Sequence, residues 1–165
     1  VVDNTENLLR SLENAELDFA VVEGVFDKTK YPYHLYKKEH FVGICSKSHP
    51  FAGKTISLKE IFRETLIVRE SGSGTRRLLE QAISENGFSL DCFHRVISVS
   101  NFSVISDMVM KNNAITFAYE PVAKSKKDLA VFEVDDMQIK GEFNFVYCNS
   151  RIAKEKIDLL FWGRK

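Results

Sequence analysis

The stretch Arg69-Glu70-Ser71-Gly72-Ser73-Gly74-Thr75-Arg76 puts two glycines and three hydroxyls between the apolar run 65–68 and a strongly helical segment. Two kinds of chemistry suit it. In one, the glycines permit positive φ in a tight connection, and Ser73 or Thr75 caps the helix. In the other, the turn takes a small anion. A helix N-terminus has free N–H groups and a partial positive charge, glycines let a ligand approach that backbone, and hydroxyls donate to it. Nucleotide versions of the turn fail. No lysine follows Gly74, as GxxxxGK[ST] demands, and Arg77 stands where GxGxxG needs its third glycine. A GxSxG nucleophile elbow is absent.

Other chemistry is sparse. His34 and His40 have even spacing, which puts them on one face of a strand, and Cys92 and His94 share that spacing. A metal needs further ligands, and the sequence offers none, so no metal site is assigned. No Ser-His-Asp order and no isolated carboxylate pair rises above the acidic background. The sequence supplies no catalytic argument, and the expectation is that the chain is not an enzyme and carries no cofactor.

The elements that must position the turn follow from periodicity. After Val1-Val2, read as a strand end, a helix is capped by Asp3 or Asn4, with Leu8, Leu9 and Leu12 on one face. The continuous apolar run 17–23 reads as a strand of a parallel, doubly covered sheet and ends at Gly24. Residues 34–51 form one long, bent strand. Ser57 and Glu60 make a capping box, with Ile56 and Ile61 as a hydrophobic staple. Strand 65–68 leads into the glycine turn and a helix to about Asn86. That helix buries Leu78, Leu79, Ala82 and Ile83 and stops at Gly87.

A strand over 93–100 then leads through Ser98-Val99-Ser100-Asn101-Phe102 into a helix with Val104, Ile105, Met108 and Val109 on one side. Strand 114–123 runs into Pro121 at a helix start. Strands at 128–136 and 142–151 and a final helix over 152–162 complete the order. Alternating β and α elements predict an α/β protein with parallel sheet. Ligands of such sheets sit beyond the carboxyl ends of strands. Four such ends carry small or polar residues: the glycine turn, 98–102, Tyr119-Glu120-Pro121 and Glu23-Gly24.

Bulk composition bounds the rest. The 165 residues contain 23 basic and 23 acidic side chains, so the net charge is zero and no nucleic-acid stripe is implied. A chain of this size buries roughly 70% of its unfolded surface, enough for a core. The densest basic cluster, Lys124-Ser125-Lys126-Lys127, reads as a solvated helix end. Three widely spaced cysteines, Cys45, Cys92 and Cys148, read as buried thiols in a reducing compartment. No apolar run approaches the ~18 residues of a membrane span, and no membrane partner is expected.

The segments 8–24, 40–87 and 98–123, taken in order, resemble the effector-binding region of LysR-type transcriptional regulators. The matching residues are Glu16-Leu17-Asp18-Phe19-Ala20, His49-Pro50-Phe51-Ala52-Gly53, Arg69 to Arg76, and Val109 to Pro121. The family's glycines in the last segment are replaced by Asn112, Asn113 and Ala114, and asparagine tolerates positive φ there. The family's winged helix-turn-helix and its first βα unit have no counterpart ahead of Val1.

The resemblance implies an α/β, two-lobed fold of the periplasmic-binding-protein type (type 2), with parallel or mixed sheets and two crossover strands. The first lobe is expected at 1–45 plus 146–165 and the second at 46–145, with crossings near Cys45 and Val146. It implies a cytoplasmic, ligand-sensing regulatory domain that binds a small effector, an anion or carboxylate, between the lobes. The domain would form a homodimer or tetramer, and DNA would be contacted only through the DNA-binding domain outside this sequence. Carried over, the ligand candidates are Ser71, Gly72, Ser73 and Thr75 at one helix start, Ser100, Asn101 and Phe102 at another, and Glu23 and Tyr119. A transport solute-binding protein with the same fold is the rival reading.

Overall fold

The computed structural model describes residues 1–135, 137 and 139–161. Asp136, at the end of the expected strand 128–136, lies outside the described residues, as does Trp162, at the end of the expected helix 152–162.

Helix α1 (Thr5–Glu13) starts where expected, because the Asn4 side chain accepts the Asn7 N–H at 3.0 Å. Val1 and Val2 are exposed and form no strand. Strand β1 (Phe19–Glu23) follows, then β2 (Tyr33–Ser46), 14 residues long. Strand β3 (Thr55–Ile56) and the short α2 (Leu58–Ile61) carry the capping box, in which Glu60 and Ser57 bond reciprocally. Ile56 and Ile61 are both buried in one cluster. Strand β4 (Thr65–Val68) enters the glycine turn, and α3 (Gly74–Glu85) leaves it. At its end Gly87 has φ 81°, and the Gly87 and Phe88 amides donate to the Ser84 and Ile83 carbonyls, a Schellman closure.

Next come β5 (Arg95–Ser98), α4 (Phe102–Asn112), β6 (Thr116–Tyr119), α5 (Glu120–Lys124), β7 (Leu129–Val134), β8 (Ile139–Tyr147) and α6 (Ser150–Phe161). Asn113 closes α4 at φ 49°, as its tolerance of the left-handed region allows.

The sheets are mixed. Strand β1 pairs antiparallel with β8, contrary to the parallel pairing expected from its apolar run. Its inner face packs on α1 through Leu9, Leu12, Ala20, Val22 and Val146, so helix cover on that side accounts for the apolar pattern. Strand β2 pairs antiparallel with β8 over Tyr33–Phe41, then with β6 and β7 from Phe41 to Ser46. It thus passes from one lobe to the other, exchanging partners at Phe41. Parallel pairing survives in the second lobe, where β4 runs beside β5 and bridges to Ile115 ahead of β6. Burial of Ile61, Leu66, Ile83 and Ile115 on one side, and Ile44, Ile67, Ile105 and Val109 on the other, anchors this layer. Each such side chain contributes about 1.5–3 kcal/mol as an upper value.

Four local readings are corrected. The ladder between β2 and β8 shifts register between Leu35 and Lys37, so His34 lies opposite Phe145 and His40 opposite Lys140. Those partners are five residues apart, so the two histidines face opposite sides, because a bulge inverts the alternation that even spacing relies on. Cys92 sits in a 3₁₀ turn (Leu90–Cys92) ahead of β5, so it shares no strand face with His94. Of the three free thiols only Cys45 is buried, which pushes its pKa up to about 11, while Cys92 and Cys148 are exposed. Val104, expected to face inward, is also exposed.

Candidate functional site

The carboxyl ends of β1, β4, β5 and β6 converge, and the reason is partly backbone contact. Gly24, with φ 77°, lies so close to Gly74 that a Cβ on Gly24 would sit 2.3 Å from the Gly74 carbonyl oxygen. A Cβ on Gly74 would sit 2.0 Å from the Glu23 carbonyl oxygen. No side chain fits in either place. The N-terminus of α1 closes on the same turn: Glu6 N–H donates to the Gly72 carbonyl at 3.2 Å, and the Thr5 hydroxyl donates to the Glu23 carbonyl at 3.1 Å. The glycines therefore bring two backbones together, and Gly72 at φ 87° turns the chain between them.

Beside this junction lie two adjoining cavities. The larger, about 620 Å³, is lined by the start of the chain through Thr5, by Glu23, Arg69, Glu70, Ser73, Ser100 and Asn101, and by the apolar Val21 and Phe143. The smaller, about 210 Å³, lies deeper and includes Thr75, Phe102, Thr116 and Tyr119. Glu23 and Arg69 line both. Seven of the nine candidates are thus brought together around the two cavities. Ser71 and Gly72 line neither: Ser71 is exposed, and Gly72 is spent on the contact with α1.

The two helix starts differ. At α4 the Asn101 side chain accepts from the Ser103 and Val104 amides at 2.8 and 3.3 Å. At α3 no side chain caps the first turn, and the Ser73 hydroxyl instead pairs with the Thr75 hydroxyl at 2.8 Å, both buried.

Arg69 holds Glu70 through two bonds of 2.9 and 3.0 Å and approaches Glu23 at 4.0 Å. Burial pushes the Glu23 carboxyl above its ordinary pKa, with Arg69 opposing and Glu70 adding to the rise. The Tyr119 hydroxyl is buried and has no hydrogen-bond partner. The nearby Gly24 N–H is donated to the Glu142 carbonyl at 3.0 Å. Burial, then the Glu23 charge, pushes the Tyr119 pKa up, so it stands as a neutral donor. Gly141 leaves it room, since a Cβ there would lie 2.4 Å from the hydroxyl.

Arg69, Thr116, Val21 and Phe143 were not among the sequence candidates. Arg69 is the first residue past β4, so the strand-end argument could have reached it. Thr116 lies at the start of β6 and Phe143 inside β8, where no local signal points to a cavity. Among the described residues, no three His, Cys, Asp or Glu side chains are grouped to hold a metal ion, and no helix is long and apolar enough to cross a membrane.

The sequence pattern of the LysR substrate binding domain matches residues 1–161. The chain belongs to that family. Among curated relatives, an HTH-type transcriptional regulator of Methanocaldococcus jannaschii is 28% identical over 134 residues, covering 81% of this chain and 45% of its own length. The transcriptional activator CmpR of Synechocystis is 30% identical over 131 residues, covering 73% of this chain and 41% of its own. The chain therefore spans about half the length, or less, of the curated relatives it matches. These relatives are transcriptional regulators.

The regulatory domain of CcmR from Synechocystis, solved in complex with 2-PG, superposes with a TM-score of 0.81 at 22% identity, over 98% of this chain and 80% of that one. The effector-binding domain of QuiR in complex with shikimate superposes at 0.78 and 17% identity, over 98% and 78%. These likenesses establish the two-lobed, periplasmic-binding-protein-like type 2 fold.

Proposed function

We propose that this LysR-family domain is the ligand sensor of a DNA-binding transcriptional regulator, and that its effector binds across the two adjoining cavities. The observation that carries the reading is the uncapped α3 start and the unpartnered Tyr119 hydroxyl, both set at the same interlobe space. In this reading the effector is a small hydroxy acid. Its acid group lies in the inner cavity, near Thr75, Tyr119 and Arg69, with the positive end of α3 behind it. Its hydroxyls donate to the carboxylates of Glu23 and Glu70, which line the larger space. Relatives of the same fold solved with 2-PG and shikimate support a small-molecule ligand of this kind. This reading keeps the two lobes proposed at 1–45 plus 146–165 and at 46–145, and the partner exchange of β2 at Phe41, four residues ahead of the expected crossing at Cys45, supports a hinge in that strand.

A ligand moves the lobes only by binding one arrangement better than another. A tenfold preference, about 1.4 kcal/mol, shifts the balance measurably. That shift passes to the pairing of domains in a cytoplasmic homodimer or tetramer, and so to DNA-binding regions outside this sequence. No catalysis is assigned. A transport solute-binding role is disfavoured by the regulator relatives.

The test is a thermal-shift series with shikimate, 2-PG and inorganic phosphate. A ligand that binds only the folded state raises Tm with concentration, by about 2.7 kcal/mol of stability at a hundred times Kd. Tyr119→Phe removes an unpaired buried hydroxyl, so it should leave the ligand-free Tm unchanged or slightly higher. It should weaken ligand binding about tenfold, as should Thr75→Ala. Equal shifts in wild type and both variants would remove the inner cavity from the site.

A further inference from the structure

The lysines of 124–127, which read in the sequence as a solvated helix end, are joined in the structure by Lys47 from a distant loop. Lys47, Lys124, Lys126 and Lys127 line one open depression of about 310 Å³, with Ala123, Leu129 and Val131 as its apolar floor. The backbone fixes this arrangement. The Ser125, Lys126 and Leu129 amides donate to the Val122, Ala123 and Lys126 carbonyls, winding 122–129 into consecutive turns. The Lys47 amide donates to the Asp128 carbonyl at 3.0 Å, and Ser46 pairs with Leu129 in the ladder. Four cationic stems therefore rise from a hydrogen-bonded frame that closes a long sequence separation.

Their charge is weakly compensated. Lys124 pairs with Glu120 at 2.8 Å on its own helix. Among the described residues no carboxylate lies within ion-pair distance of Lys47, Lys126 or Lys127. In a chain of zero net charge, three such lysines around one depression are a local concentration of positive potential. The volume lies at the lower end of the range for small-molecule sites. Concavity disfavours a duplex, whose backbone meets protein along an extended surface. The apolar floor adds something that a bare inorganic ion does not use.

We propose that this depression binds a small organic polyphosphate, with its phosphates among the lysine ammonium groups and an apolar or planar part resting on Leu129 and Val131. The site lies apart from the interlobe cavities and shares no lining residue with them. It does not depend on the effector reading.

Calorimetric titration of the folded chain with inorganic tripolyphosphate and with ATP tests it. The expected result is saturable binding of both, tighter for ATP. Binding should weaken about tenfold in Lys126→Ala/Lys127→Ala, recover in Lys126→Arg/Lys127→Arg, and fall as salt rises. Arg69→Ala, in the interlobe site, should leave it unchanged. Lys47→Glu is a second, single-site check, because Lys47 is exposed and its backbone bond survives the change. The proposal is overturned by absence of saturable binding, by equal affinity in the lysine variants, by loss of binding in Arg69→Ala alone, or by a 20-base-pair duplex outcompeting ATP.

Discussion

The starts of α3 and α4 carry similar sequence, small polar residues after a strand and before a helix, and they end in opposite physical states. The α4 start is self-contained: Asn101 caps it, and Ser100 and Asn101 are exposed. The α3 start has no side-chain cap, its hydroxyls bond to each other, and its glycine backbone is pressed against the end of β1. The first is a helix terminus satisfied by its own residue. The second has no such cap, and the bonds that the first lobe makes to its turn end on the Gly72 and Gly74 carbonyls rather than on the amides of α3. The difference lies in Gly72 and Gly74, which permit an approach that a Cβ forbids.

The contrast is sharpest under substitution. Gly74→Ala should be the most damaging change, because its Cβ meets the Glu23 carbonyl, a backbone atom that cannot swing aside. A cost of about 3 kcal/mol is expected from overpacking, read as a fall of roughly 10 °C in Tm. A fall of under two degrees would mean that the two backbones are not held together in solution. Asn101→Ala should cost about 1 kcal/mol by removing the α4 cap, seen as a loss of about 3 °C, with ligand-induced shifts preserved. If Asn101→Ala abolished those shifts while sparing stability, the exposed helix start would be the binding element, and the comparison would be reversed.

The smallest effect concerns Glu23, whose charge has a stability consequence with a definite sign. Its folded pKa is raised, so the folded state binds this proton more tightly than the unfolded chain does. The resulting stabilisation is present at low pH and is lost as pH rises through the folded pKa. Glu23→Gln keeps a neutral group there at every pH. It should raise Tm modestly at pH 7.5 and leave it unchanged well below about 4.3, the unfolded value. The gain should be roughly 2 °C or less, because about a third of the side chain meets solvent and Arg69 partly offsets the burial. A lower Tm at pH 7.5 would show Arg69 and Glu23 to be a stronger pair than their 4.0 Å separation implies.

Much of this was legible in the residues. The capping box at Ser57 and Glu60, the stop at Gly87 and the left-handed turn at Asn113 are short-range events, fixed by a few neighbouring side chains. They came out as the sequence indicated. The face shared by His34 and His40 did not, because a bulge is decided by the partner strand. The pairing of β1 failed for a related reason: an apolar run does not tell cover on one face from cover on two, since Val21 is exposed while Ala20 and Val22 are buried, and it is silent on the direction of its neighbour.

The site divides in the same way. Sequence alone determined that strand ends carry small polar residues and that glycines punctuate them, since those properties belong to residue types and spacing. Only the tertiary structure decided that Gly74 meets Gly24, that Gly141 leaves room for a Tyr119 hydroxyl with no hydrogen-bond partner, that Arg69, Thr116 and Phe143 border the cavities, and that Lys47 joins the lysines of 124–127. Each of these pairs residues far apart in the chain. Proximity of that kind is set by how the sheets and helices pack, which no local pattern encodes.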